Sequence, residues 1–417
     1  MRKILFFICS FLSFTCLAKT STATTVFTYT VLNEQGVLER TLTVDEKALA
    51  QSTPTPEDSF KKLKLEKKSL TAEQERKLFP GALAPKTIAI IGDTGCRLKE
   101  SIVRNSYQDC MDPKDWPFPQ VMKSIAKEKP DVIIHLGDYH YREQCSPGKP
   151  CQKMTTAIGY GFSPWELDFF TPSVPAFKAA PWILVRGNHE DCKRAFLGYR
   201  QLLASQEWKK DCVDYEDPDL IVLGDLLVVN IDSSTVPEMP DPKPESTALW
   251  KERLDDLGKR IDQKVAASEK AKSKIRHIWL ISHKPIYGLV ALGKVFMPVN
   301  INLRKYFENT TWAKKIEVLM AGHIHTSELV RAKDFPLQIV LGNSGTALDV
   351  VPKKVTAENL SMINYEKAKI ISHGFGYALL RKENSGNYSI EYHNADGTQV
   401  YSCHIKDRGQ DCFKDGE

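Results

Sequence analysis

The chain has 417 residues, of which 42% are hydrophobic and 26% charged, and its formal net charge is +5. That length allows one large or two modest domains around a sizeable core. The charge is too small and too evenly spread to suit a nucleic-acid partner, and no apolar run in the body of the chain is long enough to span a membrane.

Arg2-Lys3 precede an apolar run from Ile4 to Ala18. A short positive segment, a short apolar segment and small residues read as a secretory signal over residues 1–23, with cleavage after Ala18 or Ala23. The expected location is secreted or periplasmic. An uncleaved anchor is the alternative, and the run is shorter than a spanning helix. Of ten cysteines, Cys9 and Cys16 leave with the signal. The other eight are Cys96, Cys110, Cys145, Cys151, Cys192, Cys212, Cys403 and Cys412. They form four sequence-local couples without any C-x-x-C pair, which favours disulfides in an oxidising compartment over a zinc cluster. Nearest-neighbour pairing is the simplest connectivity.

Residues 24–85 are expected to be an N-terminal hairpin, linker and helix, ahead of a main domain over 86–412. Apolar and polar residues alternate through Val26, Phe27, Tyr29, Val31 and again through Leu38, Leu42, Val44, with Asn33-Glu34-Gln35-Gly36 between them. Residues 52–56 are linker-like, and 57–79 are expected to be helical, with a cluster of lysines from Lys61 to Lys68 on a solvated face. From residue 86 short apolar runs recur: Thr87–Ile91, Val132–Leu136, Ile183–Val185, Leu226–Ile231, Ile278–Ile281, Ile316–Met320 and Leu337–Leu341. They read as buried strands. Helical stretches are expected around 118–128, 193–207, 245–271 and 301–315, and a strand-rich tail from Tyr377 to His404. Strands alternating with helices predict an α/β fold with helix-covered sheets.

Five motifs follow apolar runs in order: Gly92-Asp93-Thr94-Gly95, Gly137-Asp138-Tyr139-His140-Tyr141, Gly187-Asn188-His189-Glu190, Ser282-His283-Lys284-Pro285 and Gly322-His323-Ile324-His325. Alone, a Gly-Asp is a turn, Asn188 a helix cap, and His283 a loop residue. His323 and His325 would face one side of an extended segment. Tyr141 could simply pack, and Tyr139 competes with it. The ordered set is what points to a metal site.

This set resembles the signature of the calcineurin-like metallophosphoesterases, most closely the purple acid phosphatase branch, over roughly residues 86–350. The common first motif carries a His two residues after its Asp. Here that residue is Gly95, as in the purple branch, which adds a Tyr at the position of Tyr141. The resemblance implies a two-sheet sandwich flanked by helices, with two metal ions at one sheet edge. It assigns Asp93, Asp138, Tyr141 and His325 to one ion, and Asn188, His283 and His323 to the other, with Asp138 shared. The charges agree: three anionic oxygens and one nitrogen suit ferric iron, while a carboxylate, an amide and two imidazoles suit Zn2+, Fe2+ or Mn2+.

Two such ions can clamp a phosphoryl group and activate a water between them. His189 is placed to reach the substrate, stabilising the transition state or protonating the leaving oxygen. Glu190 is a candidate to orient a ligand or His189. His140, Lys284 and His373 are candidates for substrate contact, whereas His135 and His277 adjoin apolar runs and read as structural. Purple acid phosphatases often carry further histidines shortly after the fourth motif, but Ile286–Lys294 holds none. Lys284, Tyr287 or the Cys145–Cys151 insertion could supply those contacts instead. The expectation is therefore an exported binuclear phosphatase acting on small phosphomonoesters. The alternatives are a phosphodiesterase on the same scaffold and a non-catalytic binding protein of the same fold, whose mark would be a lost ligand.

Overall fold

The computed structural model describes residues 24–46, 55–98, 107–145, 148–149, 151–154, 157–205, 211–238, 244–271, 274–292, 295–351, 355–406 and 409–413. The expected signal over 1–23 and residues 52–54 of the linker lie outside the described residues.

Two large sheets face each other. In chain order the first contributes β1 (Thr24–Asn33), β2 (Gly36–Asp45), β3 (Leu63–Ser69), β4 (Thr87–Ile91), β5 (Val132–His135) and β6 (Trp182–Leu184). The second follows with β7 (Asp219–Leu223), β8 (Leu226–Asn230) and β9 (His277–Ile281). After a small hairpin of β10 (Leu289–Leu292) and β11 (Val295–Pro298) come β12 (Val318–Ala321), β13 (Ser327–Arg331), β14 (Leu337–Leu341) and β15 (Lys367–Ser372). The tail strands β16 (Gly376–Lys382), β17 (Tyr388–Asn394) and β18 (Gln399–Ile405) return to the first sheet. Its order is β18-β17-β16-β4-β5-β6-β1-β2-β3, and that of the second is β15-β13-β14-β12-β9-β8-β7.

Strand alternation builds three layers of core, because successive side chains point to opposite faces. Ile88, Ile90 and Ile134 face inward and meet Val228, Trp279, Met320 and Ile339 of the second sheet. Ala89, Ile91 and Ile133 face outward and pack with Phe118, Val121, Phe169 and Phe170. On the far side, Leu227, Val229, Leu280 and Leu319 pack with Leu254, Leu257, Ile261 and Phe307. The covering helices include Phe118–Glu128, Pro244–Lys270 and Ile301–Glu308. Among the described residues no helix is long and apolar enough to cross a membrane.

Two expectations for the N-terminal segment differ from the structure, and the helices expected over 193–207 and 301–315 are shorter, at Phe196–Gly198 continued by Tyr199–Leu203 and at Ile301–Glu308. Residues 57–79 are not one helix: a short helix Pro56–Lys61 gives way to strand β3, and a second helix runs over Ala72–Leu78. The lysines suggested a solvated helix face, but Leu63 and Leu65 recur with period two, pair with β2 and pack on the core. Thr71 and Gln74 then form a capping box that starts the second helix. The hairpin of residues 24–45 does not stand apart either, since β1 lies parallel to β6 at Val31 and Trp182 and extends the motif-bearing sheet.

All four nearest-neighbour cysteine couples are disulfides: Cys96–Cys110, Cys145–Cys151, Cys192–Cys212 and Cys403–Cys412.

Candidate active site

Parallel strands deliver the motifs to one place. β4, β5 and β6 are parallel neighbours, as are β9 and β12 across the sandwich. The first three motifs leave the carboxyl ends of the former, the last two those of the latter, where open α/β sheets gather their ligands.

The turns there are tight. Asp93, Asp138 and His323 adopt left-handed backbone, with φ of 56°, 58° and 72°. Non-glycine residues seldom sit there, and such strain clusters at functional sites. Gly95 explains why the first motif lacks a side chain at that point. A Cβ on it would lie 2.7 Å from both Tyr139 O and Tyr141 N.

Around these turns two groups of donors form. The Tyr141 hydroxyl stands 3.2 Å from Asp93 Oδ1, 3.0 Å from His325 Nε2 and 2.8 Å from Asp138 Oδ2. On the other side, Asn188 Oδ1 is 2.8 Å from His283 Nε2 and 2.9 Å from His323 Nδ1. Asp138 lies between, with Oδ2 also 3.3 Å from His283 Nε2. Asp138, His283 and His323 each offer a ligand atom within 4.8 Å of the others. All seven residues are thus brought together.

The donor chemistry fits bound cations. Leu136 O, 2.8 Å away, faces Nδ1 of His283, while Nε2 faces Asn188 Oδ1 and Asp138. The polar partners of both ring nitrogens are acceptors, an arrangement that favours positive charge. Burial opposes the charged ring, but Asp138 outweighs it and pushes the imidazole up to about 9. A metal ion would supply this charge in place of the Nε2 proton. His325 is held likewise, with Nδ1 2.9 Å from Ala347 O and Nε2 aimed at the cluster. A carbonyl on one imidazole nitrogen is the usual way to direct the other at a metal. The Tyr141 phenol is pushed well above its ordinary value, first by burial and then by Asp138 and Asp93.

The other candidates are placed as follows. Glu190 is fully buried, and its carboxylate accepts from the backbone amides of Asp138, Tyr139, His140 and Gly187 at 3.0–3.3 Å. It therefore ties the second motif to the third. His189 stands over the Tyr141 ring, with centroids 3.9 Å apart and Nε2 3.8 Å from Asp138 Oδ2. His140 does not face a substrate: it is fully buried, 2.6 Å from Gly159 O and packed on Trp165. Lys284 is buried too, donating to Val236 O at 2.8 Å. Tyr287 is fully buried and bonds Glu308 at 3.0 Å, which removes it from substrate contact. His373 lines a cleft of about 320 Å3 with Tyr107, Asp349 and Phe375, and Asp349 in turn accepts from the His325 amide at 2.9 Å. His135, read as structural, is fully buried and bonds Thr94 Oγ1 at 2.9 Å.

Several residues here carry no motif. Asp168 accepts from the amides of Cys96, Tyr141 and Arg142, joining the first and second motifs. Glu238 stands 3.2 Å from His323 Nε2. Glu143 receives Arg194 through two hydrogen bonds, of 2.7 Å and 2.8 Å. Burial raises the Glu143 carboxyl, but His189 and Arg194 outweigh that and bring it down to about 2. The only available signal was proximity: Glu143 and Arg194 follow motif residues Asp138 and His189 by five positions each. Asp168 and Glu238 had none, because long-range folding alone brings them in.

The sequence model for calcineurin-like phosphoesterases matches residues 86–327, more than half of the chain, and the chain belongs to that family. That family is one of phosphoesterases, and it implies divalent metal ions. No curated protein matches it. Among solved structures, it resembles a purple acid phosphatase from yellow lupin (Lupinus luteus) seeds at 15% identity, with a TM-score of 0.50. The alignment covers 88% of this chain and 59% of the lupin chain. It is also similar to PhoD (12% identity, 91% and 88% of the two chains, TM-score 0.48). A dimetal phosphatase from Danio rerio gives 12% identity over 77% of this chain and 99% of that one, with a TM-score of 0.42. At this identity the lupin likeness speaks to fold alone.

Proposed function

We propose that the protein is an exported binuclear phosphatase that hydrolyses small phosphomonoesters. The observation that carries this reading is the position of Asp138, whose Oδ2 touches Tyr141 on one side and His283 on the other. One carboxylate shared between two donor sets is what a two-metal site needs. Asp93, Asp138, Tyr141 and His325 would hold Fe3+; Asn188, His283 and His323, with Asp138, would hold Zn2+, Fe2+ or Mn2+. When bound, such a pair supplies the charge that steadies phosphoryl oxygens and the acidity that turns a water into a nucleophile.

The chain's own residues do the rest. In hydrolysis a water oxygen forms the new P–O bond as the ester P–O bond breaks, and the leaving oxygen takes up a proton. His189 is the residue assigned to deliver that proton or to steady the charge that builds there. Glu190 holds the backbone of the second motif so that Asp138 keeps its place. Four disulfides support the exported location. Assaying a monoester and a diester aryl phosphate side by side tests the substrate class. Faster turnover of the monoester is the expected result; preference for the diester would reassign the enzyme to that class.

A further inference from the structure

We infer that Glu143 and Arg194 form a positioning pair that holds the His189 imidazole in its working orientation. The inference rests on the reading of His189 just given, and it adds two residues that lie outside all five motifs.

The geometry is specific. Arg194 meets Glu143 through a two-pronged contact, Nε to Oε1 at 2.7 Å and Nη2 to Oε2 at 2.8 Å. Nη2 of the same guanidinium lies 2.7 Å from His189 Nδ1 and 2.8 Å from Nε2. Glu143 Oε1 is itself 3.3 Å from His189 Nδ1. The imidazole also packs against the tilted Tyr141 ring, 3.9 Å between centroids. His189 is therefore gripped between the pair and a candidate metal ligand.

Exposed ion pairs contribute little, because water screens them and long side chains resist ordering. This one differs. The Glu143 side chain is 6% exposed and that of Arg194 26%. A planar fork on a buried carboxylate fixes direction as well as distance. Arg194 Nη1 also reaches back to Asn188 O at 3.4 Å, which braces the fork against the backbone of the third motif. A histidine at the mouth of a site otherwise turns about two side-chain bonds. A misplacement of about 1 Å in a reacting group can cost about 100-fold in rate. Holding the ring is thus a sizeable effect, and it is achieved by residues that need not touch the substrate.

The arrangement also bears on the missing histidines after the fourth motif. Lys284 and Tyr287 are buried and bonded elsewhere. Besides Asp138, the charged side chains that contact His189 are Arg194 and Glu143, which approach from just beyond the second and third motifs.

The test is a double-mutant cycle in the full-length metal-loaded protein, with kcat, KM, inhibition by inorganic phosphate, and metal content read for each variant. Arg194→Ala is expected to lower kcat about 10- to 100-fold while KM and phosphate inhibition change less than about twofold. Arg194→Lys keeps the charge but not the fork and should not restore the rate. Glu143→Gln, a near-isosteric change, should reproduce the loss and covers the case in which Arg194→Ala fails to fold. In a His189→Ala background, either change should cost nothing further, because the residue they act through is gone. Full additional loss in that background would overturn the inference. So would phosphate inhibition weakening in step with kcat, because Arg194 would then bind substrate directly. Failure of the wild type to turn over any phosphoester would sink the underlying functional reading, a result distinct from either of these.

Discussion

The Tyr141 hydroxyl donates to Asp138 Oδ2 at 2.8 Å, so the phenol leans on the carboxylate that sits between the two donor groups. Buried, and with Asp93 and Asp138 beside it, the phenol resists losing its proton. Only a strongly charged cation could hold it as phenolate. Ferric iron bound there should colour the protein violet by charge transfer. Tyr141→Phe should bleach that band while hydrolysis survives in part, because the other donors remain. A colourless wild type fully loaded with ferric iron would remove Tyr141 from the ligand set.

His189→Ala should behave in the opposite way. Metal content and colour stay, since His189 is not among the proposed ligands, while kcat falls about 100-fold or more. Elemental analysis and steady-state kinetics on one preparation decide it. Loss of metal from this variant would make His189 a ligand instead.

Much of this centre was legible beforehand because the motifs are local. A Gly-Asp after an apolar run marks a strand end without knowledge of the rest of the fold. The four disulfides were legible for the same reason, as each joins cysteines close in sequence. Residues 63–69 were not: charge composition outweighed the period-two spacing of Leu63 and Leu65, and only pairing with β2 settles them as a strand. His140 shows the limit inside a motif. Its spacing resembled that of a site residue, yet the carbonyl of Gly159 claims its ring. Asp168 and Glu238 were out of reach, because no local pattern marks a residue whose partners lie far along the chain.

Glu328 provides a pH signature outside the site. Its side chain is fully buried, accepts from Leu289 N at 3.0 Å, and is pushed up to about 8, mainly by burial. A raised carboxyl keeps its proton in the folded state while the unfolded chain has released it. Its stabilising contribution is therefore full below the unfolded value and is lost as pH rises toward about 8. Glu328→Gln does not titrate. The melting temperature of the variant relative to wild type should climb between about pH 5 and pH 8. Parallel profiles would mean that Glu328 is ionised in the fold.

The proposed export makes a chemical prediction. The mature chain should begin after Ala18 or Ala23 and contain no free thiol. Peptide mapping without reduction should return Cys96–Cys110, Cys145–Cys151, Cys192–Cys212 and Cys403–Cys412. Several free thiols in the exported protein would contradict an oxidising destination.

The shared carboxylate is the point on which the two-metal reading turns. Metal content and aryl phosphate hydrolysis should be measured together on wild type and on Asp138→Ala. The wild type is expected to carry about two metal ions per chain and to turn over. Asp138→Ala should lose metal and nearly all activity, because both donor groups meet at that side chain. If Asp138→Ala kept two ions and full activity, the centre described here would not be the one that does the chemistry.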